Sequence, residues 1–250
     1  MLKHELKIFL TSLMFFTRLP VWRLSEFSQE MHNKASRYLP MVGWIVGGVA
    51  ALVFWLCSLI LPVNVAVLIS MGATVLLTGA FHEDGFSDVC DGFGGGYTPE
   101  QMLTIMKDSR VGAYGVIGTF FILGLKWALL VSLPVAIIPI ALIAGHSISR
   151  MFAVLVIATA DYVKENPGSK SKPLAHRLGA GELTFTIITG LLPLLLMPWM
   201  VSLSLVLALL AIVWFRAYTL KKLKGYSGDC LGAMQQITEV AFYLGTIIVI

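Results

Sequence analysis

Charge is what this chain has least of. Of its 250 residues, 18 are Lys or Arg and 14 are Asp or Glu, 13% in all, against about 25% in a soluble globular protein. A soluble domain of this size could not cover its surface with so few ionic side chains. That excludes an ordinary cytosolic globule, a disordered chain and a nucleic-acid binder living off a large basic surface. Cysteine is scarce as well: Cys57, Cys90 and Cys230 have neither disulfide nor zinc spacing, so a reduced compartment is the default. No long linker, low-complexity tract or clear repeat divides residues 1–250, which read as one integral membrane domain. What is abundant is apolar: 57% of the residues are hydrophobic and the mean hydropathy is +0.84. The composition is that of an all-α, polytopic membrane protein.

Long uncharged runs locate the spans. Residues 38–81 hold 44 residues with no charge, broken by Pro62 and Asn64. Two helices of roughly 20 residues fit there, about 39–61 and 64–81. Two more are expected at about 113–133 and 135–158, turning at Pro134. Residues 183–215 make either one kinked span or a hairpin turning near Pro198, and the segment from Ala233 to Ile250 makes a last short span. Charge placement decides between seven spans and six. With seven, the segments 1–38, 82–112, 159–182 and 216–232 lie on one side and carry six, two, four and four Lys/Arg, leaving only Lys126 and Arg150 within spans. Seven spans are therefore expected, with six as the alternative, the charged side cytoplasmic and the C-terminus outside. Thirteen of the fourteen acids fall on that side; Glu239 lies in the last span. At the N-terminus the apolar run Ile8–Thr17 ends at Arg18 without a small-residue cleavage site, unlike a signal peptide. Leu2, Leu6, Phe9, Leu10 and Leu13 repeat at helical spacing opposite Lys3 and Lys7, as in a helix lying in the interface.

The informative stretch is the expected cytoplasmic loop at 82–112. Five carboxylates lie between Glu83 and Glu100, and no Lys or Arg occurs from Tyr38 to Met106. Like charges this close repel unless a cation intervenes. Asp84, Asp88 and Asp91 stand at i, i+4 and i+7, one face of a helix. Hard oxygen ligands on one face, with phosphate supplied by a substrate, suit Mg²⁺. The alternative is a solvated acidic helix end, which the missing basic partners disfavour. Gly94, Gly95 and Gly96 follow, either as a backbone that approaches phosphate or as a plain turn. Thr98-Pro99-Glu100-Gln101 is a capping box that starts a helix running to about Ser109. Lys107 and Arg110 are the nearest cations, serving either to bind phosphate or to pair with Asp108.

These residues closely resemble the cobalamin synthase family, the adenosylcobinamide-GDP ribazoletransferases. The resemblance rests on His82-Glu83-Asp84-Gly85-Phe86-Ser87-Asp88, Asp91-Gly92-Phe93-Gly94-Gly95-Gly96 and Lys107-Asp108-Ser109-Arg110-Val111-Gly112-Ala113-Tyr114-Gly115. Weaker matches run over the rest of the chain: Thr17-Arg18-Leu19-Pro20, Gly145-His146-Ser147-Ile148-Ser149-Arg150 and Gly228-Asp229-Cys230-Leu231-Gly232-Ala233. The resemblance implies that a 5′ oxygen of α-ribazole, or of its 5′-phosphate, attacks the cobinamide-linked phosphorus of adenosylcobinamide-GDP. GMP leaves, and adenosylcobalamin or its phosphate forms at the last step of nucleotide-loop assembly. It implies Mg²⁺ as the metal and a bacterial inner membrane as the location, with the active site facing the cytoplasm.

On this reading Glu83, Asp84, Asp88 and Asp91 hold the metal, and Asp84, Asp88 and His82 are the catalytic candidates, with the general base open among His82, an aspartate and a metal-activated hydroxyl. Substrate binding falls to Gly94, Gly95, Gly96, Lys107, Asp108, Arg110, His146, Arg150 and Asp229. Several of these have plainer alternatives: His146 as a packed histidine, Asp229 as a helix cap. Lys126, costing roughly 2.5–3.5 kcal/mol in mid-span, is expected to snorkel, face the bundle interior or pair, a structural pairing being favoured over a catalytic role. The basic run Arg216, Lys221, Lys222 and Lys224 reads as an anionic-lipid contact. Asn166 to Lys172 reads as a polar loop, or as a lid over a large substrate. Expected partners are the two substrates and the bilayer, with no nucleic acid; a homo-oligomer is allowed. The rivals are a cation-coupled transporter, disfavoured because acids avoid the span centres, and a membrane phosphotransferase acting on an activated alcohol, whose Ala-Arg after Asp-Gly is absent here.

Overall fold

The computed structural model describes residues 2–21, 31, 34–163 and 178–250; the polar segment Asn166 to Lys172 lies outside the described residues. Among these the regular structure is helical: α1 (Leu2–Phe16), α2 (Leu39–Ser58), α3 (Val63–Thr78), α4 (Phe81–Gly95), α5 (Pro99–Met106), α6 (Ala113–Ser132), α7 (Ile138–Thr159), α8 (Ala180–Leu191), α9 (Ser204–Leu223) and α10 (Gly228–Val249). The described residues contain no strand beyond an isolated parallel bridge between Tyr162 and Tyr226.

This is an all-α, polytopic membrane protein. Among the described residues, four helical segments are long and apolar enough to cross a bilayer: Ser36–Ser58, Ala113–Ser132, Ile138–Thr159 and Trp199–Leu223. The pair Val63–Thr78 and Phe81–Gly95 makes a fifth if it is counted as one broken span. The count by length and composition is therefore four or five where charge placement suggests seven, and the shortfall has a physical reason in each case. α3 has only 16 residues, about 24 Å at 1.5 Å per residue. The apolar stretch Ala180–Leu196 is also short. α10 is diluted by Gln235, Gln236 and Glu239. The break near Pro198 is present: the chain leaves one helical segment at Leu196 and starts the next at Trp199.

α7 is buried along most of its length and forms the axis of the bundle. α2 packs directly on it because Gly43 and Gly47, one turn apart, bring the two backbones together. A Cβ at Gly43 would collide with the His146 carbonyl, and one at Gly47 would lie 2.6 Å from the Ile143 Cα. Small residues four apart are a common means of close helix approach in membranes. α6 and α9 turn large apolar side chains outward, among them Phe120, Phe121, Leu209 and Trp214, as lipid-facing helices do. α1 docks on the start of α2 through Leu13 and Phe16 against Leu39 and Val42, while Lys3 and His4 stay exposed. Arg37 fastens this end: it pairs with Glu5 of α1 at 2.5 Å and with Glu182 of α8 at 2.8 Å.

The bundle interior holds a full ion pair. Lys126 of α6 and Glu239 of α10 meet at 2.6 Å, both essentially without solvent access. Tyr243 donates to Glu239 Oε1 at 2.9 Å and Gln235 to Oε2 at 2.6 Å, so each carboxylate oxygen has a donor. A charge left alone at such depth is strongly destabilising, whereas removing both charges is often neutral. Lys126→Met alone should therefore cost about 3–5 kcal/mol, and Lys126→Met combined with Glu239→Gln should recover most of that loss. Thermal or denaturant unfolding in lipid nanodiscs measures both; a single variant as stable as the double would contradict the pairing.

Candidate functional site

The acidic segment is a helix, as the i, i+4, i+7 spacing of Asp84, Asp88 and Asp91 predicts, and it runs on through Gly95, where a plain turn is the alternative. α3 ends at Gly79 (φ 70°), and Ala80 follows in the same left-handed region (φ 59°). Such a pair ends a helix and redirects the chain, and α4 leaves at 89° to α3. Glycine is needed at 79 for its φ and for space, since an added Cβ would lie 2.5 Å from the Arg18 Nε. The Arg18 amide donates to the Leu77 carbonyl at 2.7 Å. Thr17-Arg18-Leu19-Pro20 thus braces the bend that orients the acidic helix.

The glycine run serves packing. Gly94 and Gly95 lie inside α4, and the Gly96 amide bonds back to the Gly92 carbonyl at 2.9 Å. Cβ atoms at Gly92, Gly94 and Gly96 would collide with Met106, the Tyr114 ring and Met102. The use the structure shows is close packing: Gly92, Gly94 and Gly96 let α5 and α6 press against α4, and phosphate contact by Gly94, Gly95 and Gly96 stays an expectation. α5 begins with the expected capping box. The Gln101 amide donates to Thr98 Oγ1 and the Thr98 amide to Gln101 Oε1, both at 3.3 Å. It ends at Met106, three residues before Ser109.

The four expected metal ligands separate into three situations. Asp84 is exposed and Asp88 half-buried on the outer face of α4. Asp229, in the first turn of α10, lies against this helix, where a Cβ on Gly85 would come within 3.0 Å of its backbone. The Asp88 carboxyl is pushed up to about 7, first by burial and then by Asp84, Asp229 and Asp91. Every charged neighbour that moves it is another carboxylate. Asp91 is buried and otherwise engaged: one oxygen accepts from the Gly112 amide at 2.7 Å and the other from the Gly115 amide at 2.8 Å. These bonds tie Asp91 to the start of α6 from a neighbouring helix; each oxygen keeps a second lone pair, so its place among the metal ligands stays an expectation. Glu83 turns toward α10, where Oε1 accepts from Gln236 at 3.0 Å and Oε2 is buried without a hydrogen-bond partner. Among the described residues no group of three or more His, Cys, Asp or Glu is arranged as a ready metal cage.

His82, His146 and Arg150 sit together on the inner side of α4, away from that acidic face. His82 is buried, its ring 6.5 Å from that of Phe16 and 5.5 Å from that of Phe81. It lines a cavity of about 50 Å³ with Arg150 and Gln235. Arg150 Nη1 lies 3.1 Å from His146 Nδ1 and donates to the His146 carbonyl at 3.0 Å. His146 Nδ1 is 3.5 Å from Glu239 Oε2. His146 and Arg150 therefore join the Lys126–Glu239 network, with His82 beside them across the cavity. Lys107 is the exposed C-cap of α5. Arg110 pairs with Asp108 at 2.6 Å and holds its carboxyl down at about 2. Arg216 donates to the Thr159 carbonyl at 2.8 Å, bracing the last turn of α7.

Gln235, Gln236 and Tyr243 are the network residues that sequence reasoning passed over. Gln235, Glu239 and Tyr243 recur every four residues of an apolar span, a polar stripe that signals an inward-facing helix surface. The acid in mid-span is neutralised by Lys126, which removes the support it lent to a transporter.

The comparisons with known proteins agree over nearly the full length. The family model described as Cobalamin-5-phosphate synthase matches residues 8–247. The chain is 45% identical over 253 residues to a protein named adenosylcobinamide-GDP ribazoletransferase from Shewanella sp. (strain W3-18-1), covering 98% of this chain and 95% of that one. It is 45% identical over 246 residues to a protein of the same name from Shewanella frigidimarina (strain NCIMB 400), covering 96% and 94%. No solved structure matches it. With the family model and these relatives spanning almost every residue, the chain belongs to the cobalamin-5-phosphate synthase family.

Proposed function

We propose that this protein is the membrane enzyme that transfers the cobinamide-phosphate group of adenosylcobinamide-GDP to α-ribazole or its 5′-phosphate, giving adenosylcobalamin or its phosphate and GMP. The observation that carries this reading is the 45% identity, over 98% of the chain, to a protein named for that transfer. The reaction forms one bond, from a free ribose hydroxyl oxygen of the ribazole to the cobinamide-linked phosphorus, and breaks the bond to the bridging oxygen that leaves with GMP. The attacking oxygen is not the expected 5′ oxygen, which the phosphate already occupies in α-ribazole 5′-phosphate and keeps in the phosphorylated product. The hydroxyl proton is lost to a base.

The geometry supports a site on the outer face of α4. Asp84, Asp88 and Asp229 gather negative charge there, and hard oxygen donors that repel one another are suited to a divalent cation. Mg²⁺ fits this donor set, with Glu83 at its inner edge; when bound it would offset charge on the phosphates. The protein's own groups do the rest. Lys107 and Arg110, the nearest cations in sequence, meet the phosphates, Arg110 exchanging Asp108 for substrate. Its 87% exposed side chain is mobile enough for that exchange. His82 faces Arg150 and Gln235, so the proton acceptor is drawn from Asp84 or Asp88. His146 and Arg150 support the helix from beneath. We place this face in the cytoplasm of a bacterial inner membrane, because most Lys and Arg lie at the helix ends that share its side.

Purified protein in nanodiscs, given adenosylcobinamide-GDP, α-ribazole and Mg²⁺, should release GMP; a well-folded sample that releases none would falsify the reading. Asp84→Asn and Asp88→Asn should each lower turnover by at least about 100-fold, a loss beyond the roughly 10–100-fold typical when only a ligand's outer partner is removed, and Asp88→Asn should not lower the thermal midpoint, because it relieves carboxylate repulsion. Asp91→Ala should do the reverse in kind, losing about 0.5–2 kcal/mol as a removed helix cap does. Near-normal turnover in both Asn variants would leave the acidic face without a catalytic part. A reporter fused after Ile250 should read as periplasmic; a cytoplasmic signal favours six spans.

A further inference from the structure

Two consecutive glutamines connect the intramembrane ion pair to the acidic helix. Gln235 Nε2 donates to Glu239 Oε2 at 2.6 Å and to Ser149 Oγ at 3.0 Å. Gln236 Nε2 donates to Gln235 Oε1 and to Glu83 Oε1, each at 3.0 Å. Each amide nitrogen carries two hydrogens, and in both residues both are used. The result is an unbroken chain from Lys126 through Glu239, Gln235 and Gln236 to Glu83. It crosses from α6 to α10 to α4 and ends on a carboxylate of the acidic helix.

The far end of the chain is unequal. Glu83 Oε1 is fastened, while Oε2 is buried with no hydrogen-bond partner. A buried carboxylate oxygen with no donor is costly, and the backbone gives no reason to hold it there. One oxygen clamped and one left with its lone pairs is how a carboxylate is set to meet a ligand that brings positive charge. Metal-binding carboxylates are typically oriented by hydrogen-bonded outer partners of this type.

We propose that Gln236 is a positioning residue: it aims Glu83 Oε2 at a divalent cation on the inner edge of the acidic face, and the Lys126–Glu239 pair keeps Gln236 itself from rotating away. This rests on the cation site of the proposed function and adds to it the residue that orients a ligand. Gln236 touches no substrate, so its effect should appear in cation affinity.

The test uses the full-length protein in zwitterionic nanodiscs, with Mn²⁺ alone as probe and free Mn²⁺ counted by electron paramagnetic resonance. Gln236→Met keeps the length of the side chain and removes the amide. It should weaken Mn²⁺ binding about 10-fold, the lower end for a lost outer partner, and raise the Mg²⁺ needed for half-maximal GMP release by a similar factor. Glu83→Gln should weaken Mn²⁺ binding too, and adding Gln236→Met to it should change little more, because the second residue acts through the first. An unchanged Mn²⁺ isotherm in Gln236→Met, or losses that simply add in the double variant, would overturn the positioning role. If Gln236→Met fails to insert, Gln236→Asn, a methylene too short to reach, carries the same expectations. Wild-type GMP release with a normal Gln236→Met titration defeats only this inference, whereas wild-type protein that releases no GMP defeats the reaction itself.

Discussion

The low dielectric of a bilayer admits a Lys and a Glu only as a pair, and the contact of Lys126 with Glu239 at 2.6 Å is the constraint on which the rest of the interior depends. It fixes α6 against α10. His146 and Arg150 bring α7 to the same point, and Gln235 and Gln236 carry the connection out to α4. Such a pair need not add net stability, since taking two charges out of water costs about as much as their attraction returns. What it supplies is register. A helix that slid by one turn would leave a bare charge in hydrocarbon, a far larger penalty than any lost apolar contact in a medium where lipid is as apolar as leucine.

Glycine makes the second contribution. Gly43 and Gly47 seat α2 on α7, Gly85 seats α4 on α10, and Gly92, Gly94 and Gly96 seat α5 and α6 on α4. Their positions coincide with the densest motifs of the sequence, so much of what marks this family reads physically as close helix approach around one acidic surface. Asp91 belongs to the same scaffold. Its carboxylate holds the two amides at the start of α6 and sits against Gly112 and Gly115, where a Cβ would collide with it.

The legible part of the fold was set by solvent. Uncharged runs mark α2, α6, α7 and α9 because hydrocarbon excludes charge over a known length, and Thr98 with Gln101 marks the start of α5 because orphan amides need acceptors. The bend at Gly79 and Ala80 was not legible, because glycine in an apolar run is equally at home in a straight membrane helix. Nor was the helical state of Gly92 to Gly95, where low intrinsic propensity is overruled by packing that only the partner helices reveal. The site divides along the same line. Asp84 and Asp88 stood out through their spacing and the absence of nearby cations. Asp229 was found, but its contact with Gly85 is a long-range fact. His82, with acidic neighbours in sequence, belongs in space to the interior, because one helix residue separates opposite faces.

That division between the two faces of α4 has an energetic logic. The inner face is largely paired, acid with base and amide with carboxylate, with Glu83 Oε2, Gln236 Oε1 and His146 Nε2 left without hydrogen-bond partners. The outer face gathers acids whose mutual repulsion, with burial, lifts Asp88 to about 7. A fold selected for stability alone would place a lysine there, as it placed Lys126 beside Glu239. Leaving the outer face unrelieved keeps it receptive to a cation and to substrates that bring phosphate with them. It also requires the helix to be held by something other than its own electrostatics. The brace of Arg18 at the bend, the glycine contacts and the Gln236 tether meet that requirement, which is why the least balanced surface of the protein is also among its most firmly anchored.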